Sequence, residues 1–378
     1  MNVLITGGAG FIGQHTAKRL IDMGHSVYIL DNLSEQIHGC DVDAVKEHIR
    51  GKFIHGDIRD RAALEEAFSN DIEVIYHFAA ETGTGQSMYE IAAYTDVNIQ
   101  GTANLLSYIQ ENNSSGILKK IIVASSRAIY GEGAYSCSDH GEVYPDIRKE
   151  TDILDRNFEN KCPVCDAELK LLPTNEGAPF KPASIYGLTK QVQEQMILMF
   201  AANSNIQAYS LRYQNVYGPG QSLLNPYTGI LAVFSNLARN GSDINIFEDG
   251  LESRDFVYID DVVNANILCL QDSSSFVGVL NIGTGESITV NEVAKLINEF
   301  FDSQSKLQIS GMYRVGDIRH NKADISKATK IINFTARVSF RDGLQNFLEW
   351  ACLQKGPADY GFESSITELK NKGLMLGA

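Results

Sequence analysis

Short apolar runs alternate with amphipathic stretches along most of the chain. The first run, Val3 to Ile5, is of strand type and flows through closely spaced glycines into HTAKRLIDMG, whose apolar positions have helical spacing. A second run, SVYIL, ends at Asp31. The runs KFIHGD at 52–57, VIYHFAA at 74–80, KIIVASS at 120–126, AYSLRY at 208–213 and VLNIG at 279–283 continue the alternation. Long helical patterns near 97–112 and 184–203 flank the strand that ends at Ser126. Strands of this kind alternating with helices predict a parallel sheet covered on both faces.

The glycines give the first turn its chemistry. Gly7, Gly8, Gly10 and Gly13 follow the first strand directly. Gly7 permits a sharp turn, Gly10 removes a side chain that would block a pyrophosphate, and Gly13 lets the helix pack close to the strand. Phosphates then sit on the helix N-terminus, where unpaired N–H groups and the dipole favour anions. Asp31 closes the second strand, placed to accept hydrogen bonds from an adenosine ribose and to repel a 2′-phosphate. NAD is therefore expected over NADP. Asp57 with Ile58 after the third strand, and Ala79 and Ala80 after the fourth, are candidates to lie against the adenine and the cofactor backbone. Phe11, Ile12, Asn32 and Asn98 complete the expected cofactor-binding set.

The predicted fold class is α/β, a Rossmann doubly wound parallel sheet with a smaller α/β C-terminal substrate lobe. Residues 1–210 are expected to form the NAD-binding domain, with an insertion at 134–170, and 256–283 to return to it. Residues 211–378 are expected mainly to form that substrate lobe. With 378 residues, 44% hydrophobic and 21% charged, the chain can bury a large core. Its net charge of −15 argues against nucleic acid or an anionic membrane as partner. No apolar run is long enough to span a bilayer, and the N-terminus reads as the first strand instead of a leader, so a cytoplasmic location is expected. The two long helical stretches suggest a homodimer, by fold analogy alone.

Ser126, Tyr186 and Lys190 form the candidate catalytic set. A free tyrosine has a pKa of about 10, and a lysine one helical turn away favours the phenolate. In SIYGLTK, Tyr186 and Lys190 have i, i+4 spacing and share a helix face. Ser126, at the C-terminal end of a parallel strand, can hydrogen-bond the same substrate oxygen.

These residues, with GGAGFIG, SSRAIYG, LRYQNVYGPG, SRDFVYIDDV and YRVGDIRH, make the chain similar over nearly its whole length to the extended short-chain dehydrogenase/reductase family. Within that family it resembles the nucleotide-sugar epimerases and dehydratases. The resemblance implies that Asn215 and Arg254 bind the sugar-nucleotide diphosphate, and that Arg314 and Asp317 contact the diphosphate and the nucleoside ribose. Arg127 joins this substrate-binding set. Guanidinium forks suit phosphate oxygens and let an acidic protein hold an anionic ligand. The family's 4,6-dehydratases carry an Asp-Glu pair directly after the catalytic hydroxyl residue, whereas this chain has Arg127 and Ala128. Neither can protonate a leaving hydroxyl, which turns the expectation to a 4-epimerase with tightly held NAD. The stretches at 214–230, IFEDGLESRDFV and GDIRH look most like those of dTDP-L-rhamnose 4-epimerases, which make dTDP-6-deoxy-L-talose, a reaction of deoxysugar biosynthesis. A UDP-hexose 4-epimerase, an NAD(P)-dependent 4-ketoreductase and a non-catalytic NAD-binding protein are the alternatives.

One departure from the family pattern is long. Between Tyr130 and Tyr186 lie 55 residues, more than the resemblance leads one to expect. The extra stretch holds Cys137 and His140 at C-x₂-H spacing, then Cys162 and Cys165 at C-x₂-C spacing. Two such knuckles can close a tetrahedral S₃N zinc site with no open position, a structural zinc. Free thiols or a Cys162–Cys165 redox pair are the competing readings. Trp350, Tyr209, Tyr213 and the methionines at 196–199 are expected to pack in the core. His77 is expected to be a satisfied structural histidine, while His320 is left without a role.

Overall fold

The computed structural model describes residues 1–39, 42–223, 229–354 and 362–377. Residues 224–228 of the 214–230 stretch therefore lie outside the described residues. Strands β1 (Asn2–Thr6), β2 (Ser26–Asp31), β3 (Lys52–His55), β4 (Val74–His77) and β5 (Lys120–Ser126) appear where the apolar runs predict them. β6 (Tyr135–Cys137), β7 (Gly141–Val143) and β8 (Lys170–Leu171) belong to the insertion. They are followed by β9 (Gln207–Tyr213), β10 (Asn215–Tyr217), β11 (Ile244–Ile246), β12 (Ser253–Arg254), β13 (Phe256–Tyr258) and β14 (Val277–Ile282).

Seven of these make one sheet in the order β14-β9-β5-β4-β1-β2-β3. Every pairing in it is parallel. Helices cover both faces, which is why Val3, Leu4, Ile5, Ile121, Ile122 and Val123 are each fully buried along continuous apolar runs. The strand order reverses between β1 and β4, and a crevice opens beyond the carboxyl ends of the strands at that point. β14 is an edge strand of this same sheet, reached through helix Ile259–Gln271.

The chain between β9 and its C-terminus also supplies short strand pairs that build a wall opposite the crevice. β10 pairs with β13, β11 with Leu307–Ile309, and β12 with Ile288–Thr289. The insertion folds separately as a three-stranded sheet in the order β7-β6-β8. No helix among the described residues is long and apolar enough to cross a membrane.

Tyr209 and Tyr213 are core residues as expected, and Trp350 packs partly buried against the same core. Met199 is not a core residue, since 70% of it is exposed on the outer side of helix Ile185–Ser204. His77 is a satisfied core histidine. Its ring nitrogens lie 2.7 Å from Thr6 Oγ1 and 2.9 Å from Thr102 Oγ1, and burial lowers its pKa to about 3.

Candidate active site

The first helix, Phe11–Asp22, begins at Gly10 without a side-chain cap, so its first N–H groups remain available to an anion. The glycines differ in what they make possible. Gly7 has φ +68°, and a Cβ there meets Ala79 N at 2.6 Å. A Cβ on Gly13 meets the Gly7 oxygen and Gly8 Cα at 2.7 Å, which is the close approach of helix to turn. On Gly10 a Cβ meets only the Gly7 oxygen, at 3.3 Å, and otherwise projects into open space where a pyrophosphate fits.

That space is a cleft of ≈ 390 Å³. Of the expected cofactor-binding residues, Gly7, Gly10, Phe11, Ile12, Gly13, Asp31, Asn32, Asp57, Ile58, Ala79 and Ala80 all line it, as do Tyr186 and Lys190. Asp31 accepts backbone hydrogen bonds from Ala9 at 3.0 Å and Leu33 at 2.9 Å, which hold the carboxylate at the cleft wall. Each oxygen keeps a second lone pair for a ribose hydroxyl. Asn32 Nδ2 donates to Asp57 at 2.9 Å, and Arg59 holds the Asp57 carboxyl down to about 2.

Asn98 does not reach the cleft. It is fully buried in a π-helical turn, Asp96–Gln100, and clamps both the N–H and the carbonyl of Glu81, at 2.7 and 3.1 Å. Its place in the site is therefore to fix the backbone just after β4, where the cleft is lined by Glu81 itself.

A second cavity of ≈ 370 Å³ joins the first. Ser126 and Tyr186 line both, so the phenol stands where the two spaces meet. The second cavity contains all the residues expected to bind substrate: Ser126, Arg127, Asn215, Arg254, Arg314 and Asp317. Arg254 is oriented by the carbonyls of Ser253, Ile318 and Arg319, at 2.8 to 3.0 Å. Arg314 pairs with Asp317 at 3.0 Å. Burial and the nearby Arg254 charge lower Arg127 to about 10.

Five residues that line this cavity carry a buried acceptor with no hydrogen-bond partner among the described residues: Gln214 Oε1, Asn215 Oδ1, Gln221 Oε1, Asn245 Oδ1 and Glu252 Oε2. Buried acceptors left unsatisfied by the protein fit a ligand rich in O–H and N–H donors, as sugars and nucleosides are.

Tyr186 and Lys190 lie on helix Ile185–Ser204, capped by Ser184, whose hydroxyl accepts from Gly187 N at 3.1 Å. Ser126 Oγ accepts from Ala128 N at 3.1 Å, which fixes the strand end. The electrostatics depart from the simple expectation. Burial raises the Tyr186 phenol, and the opposing influences are its hydrogen bond with Ser126 and the charge of Arg127. The Lys190 ammonium, lowered to about 7 by burial, donates to Gln193 Oε1. Gln193 Nε2 lies 2.9 Å from both His77 Nε2 and Thr102 Oγ1. Gln193 went unnoticed in the sequence, although it stands three positions beyond Lys190 on the same helix face, a spacing that signals contact.

Other cavity residues missed by sequence reasoning include Asn245, Glu248 and Glu252. Asn245 is the middle residue of the short strand β11, Glu248 lies in the turn after it and Glu252 just before β12, and single polar residues so placed carry no periodic signal. His320 is placed by Ser253 Oγ at 2.9 Å and Glu159 at 3.1 Å and does not line either of the two large cavities.

In the insertion, the two knuckles converge. Cys137 Sγ lies 3.5 Å from His140 Nδ1 and 3.7 Å from Cys165 Sγ, and Cys162 Sγ lies 3.7 Å from His140 Nδ1.

Comparison with known proteins agrees with this geometry. The model of the NAD dependent epimerase/dehydratase family matches residues 3–149 and 164–283. The unmatched interval between those segments falls inside the insertion. Over 350 residues the chain is 35% identical to dTDP-L-rhamnose 4-epimerase of Burkholderia thailandensis, covering 92% of this chain and 94% of that protein. The UDP-glucose 4-epimerase of Thermotoga maritima, solved with UDP-glucose, superposes with a TM-score of 0.76 at 32% identity, over 93% of this chain and 99% of that one. The UDP-glucuronic acid 4-epimerase of Bacillus cereus, solved with UDP-glucuronic acid and NAD, gives a TM-score of 0.74 at 26% identity, over 93% and 98%.

Proposed function

Because this chain belongs to the NAD dependent epimerase/dehydratase family, we propose that it is a nucleotide-sugar 4-epimerase that keeps NAD bound through each turnover. The observation that carries the reading is the meeting of a glycine-cradled dinucleotide cleft and an arginine-lined cavity at Ser126 and Tyr186. The fit of NAD rests on the open space beside Gly10 and on the Asp31 carboxylate at the cleft wall. Gly7, Gly10, Gly13, Asp31 and Asp57 would hold it, and when bound it would supply a reversible two-electron acceptor.

Tyr186 takes the proton of the C4 hydroxyl as the carbonyl forms and returns it as the alcohol reforms on the opposite face. Ser126 hydrogen-bonds the same oxygen. Lys190, oriented by Gln193, provides a positive charge that favours the phenolate once it is protonated. Arg127, Arg254 and Arg314 engage the diphosphate, and the keto sugar turns over within a cavity whose walls keep the nucleotide fixed.

We infer dTDP-L-rhamnose as the substrate, giving dTDP-6-deoxy-L-talose; the Burkholderia relative at 35% identity supports this. A UDP-hexose is the second reading, favoured by the T. maritima enzyme at a comparable 32%. Residues 1–210 with 256–283 are assigned to holding NAD, and 211–378 mainly to the nucleotide sugar. A homodimer across helices Gly101–Asn112 and Ile185–Ser204 is supported by Leu188 and Met199, exposed on the outer side of the second. Cys137, His140, Cys162 and Cys165 are proposed to bind a structural zinc.

The test is incubation with dTDP-L-rhamnose and with UDP-hexoses, following C4 inversion by proton NMR. Inversion of the dTDP sugar with no consumption of added NADH is expected. Stoichiometric NADH consumption identifies a 4-ketoreductase instead, inversion confined to a UDP-hexose overturns the substrate assignment, and a 4-keto-6-deoxy product overturns the epimerase reading.

A further inference from the structure

The four sulfur and nitrogen atoms of the insertion lie within 4.8 Å of one another, although they come from two segments more than 20 residues apart. A tetrahedral zinc, with bonds near 2.3 Å to sulfur and 2.0–2.1 Å to nitrogen, sets S···S edges of about 3.8 Å and S···N edges of about 3.6 Å. The Cys137–His140, Cys137–Cys165 and Cys162–His140 separations, 3.5, 3.7 and 3.7 Å, fall near those values. Cys137, Cys162 and Cys165 are all free of disulfide bonds, which leaves the three sulfurs available as ligands.

The backbone is shaped to the same end. β6 and β7 are joined by the turn at 138–140: Cys137 ends β6, His140 is the last residue of the turn, and Gly141 (φ +68°) starts β7 opposite Cys137. Asp166, at φ +57°, turns the chain so that Cys162 N donates to Ala167 O at 2.8 Å and Asp166 N to Cys162 O at 2.9 Å.

Resting on the zinc reading above, we propose that the metal is a clasp that holds the 141–161 segment as a brace behind the substrate wall. That segment carries Arg148 and Glu159, and both reach across to the C-terminal lobe. Arg148 makes a two-pronged pair with Glu248 at 2.8 and 2.9 Å and donates to the carbonyl of Asp317 at 3.2 Å. Glu159 accepts from the fully buried Arg319 at 2.8 Å, and Ile153 and Phe158 pack on Tyr313. Glu248, Arg314 and Asp317 line the substrate cavity, while none of the residues of this segment lines the cofactor cleft. The ends of the segment are fixed by the ligands Cys137 and His140 on one side and Cys162 and Cys165 on the other. An insertion with so small an apolar cluster cannot hold this position by burial alone.

The test uses the intact enzyme. Elemental analysis is expected to find one zinc per chain, and cobalt exchange to give the absorption of a tetrahedral thiolate site. Cys165→Ser, at an exposed ligand, is expected to lose zinc and to raise KM for the nucleotide sugar roughly tenfold with kcat and bound NAD little changed. Hydrogen exchange then quickens in 141–161 and 313–320 but not in β1 or β2. His140→Cys, a ligand exchange that keeps four donors, is expected to retain both zinc and the parental KM. Protein without metal after reduction and zinc addition overturns the metal site itself. Zinc that can be removed with KM and exchange unaltered leaves the metal site standing and overturns the brace.

Discussion

Glu252 offers a sharp test of the electrostatics behind the substrate cavity. It is buried, and its Oε2 stands 3.8 Å from Arg319 without a hydrogen-bond partner among the described residues. Burial first, and the neighbouring Glu248 charge second, raise its pKa from 4.5 to about 7. A carboxyl raised in the folded state binds its proton more tightly there than in the unfolded chain. Its contribution is therefore most favourable below the unfolded value and is lost as pH rises from 4.5 through about 7. Above that window the folded protein holds a buried, poorly partnered carboxylate, and the gap corresponds to about 3 kcal/mol. Glu252→Gln keeps the shape and removes the ionisation. In urea unfolding the variant is expected to match the parent near pH 4.5 and to exceed it by about 3 kcal/mol near pH 8.5. An equal difference at both pH values, or a less stable variant at the higher one, would refute the argument.

Three further outcomes follow from the same geometry. Tyr186→Phe is expected to lower kcat by about 10²–10⁴ while bound NAD, measured by absorbance after denaturation, stays near parental occupancy. Gly13→Ala drives a Cβ to 2.7 Å from the backbone of Gly7 and Gly8, and is expected to reduce co-purifying NAD together with the melting temperature. Hydrogen bonds from His320 and Arg319 hold Glu159 down to about 2, so its contribution is present above 4.5 and lost as pH falls toward 2. Acid unfolding followed by circular dichroism should accordingly be less steep over that window in Glu159→Gln than in the parent.

Runs of apolar residues and the punctuation between them determine the sheet, because strand and helix formation depend on side chains close in sequence. The strands that end at Thr6, Asp31, His77 and Ser126 were legible for that reason. The glycine turn was legible as well, since each glycine answers a local steric need: a positive φ at Gly7, a close approach at Gly13 and open space at Gly10. The C-x₂-H and C-x₂-C pairs could be read as candidate ligands, but their approach to within 4.8 Å is set by the folding of β6 and β7 against the later knuckle.

Tertiary structure alone decided the remainder. Asn98 turned from an expected cofactor contact into a clamp on Glu81, because the π-helical turn aims its amide at the backbone after β4. Lys190 was placed beside Tyr186 by the helix spacing, but its partner Gln193 and the links of Gln193 to His77 and Thr102 come from the packing of three elements. Arg319, at the core of an ion network with Glu159, Glu248 and Asp249, carried no signal of its depth. The Arg319 network brings charges together across 70 to 160 positions of chain. A local pattern fixes which face of a helix or strand is apolar; it holds no information about which distant polar group will meet another once those faces are buried.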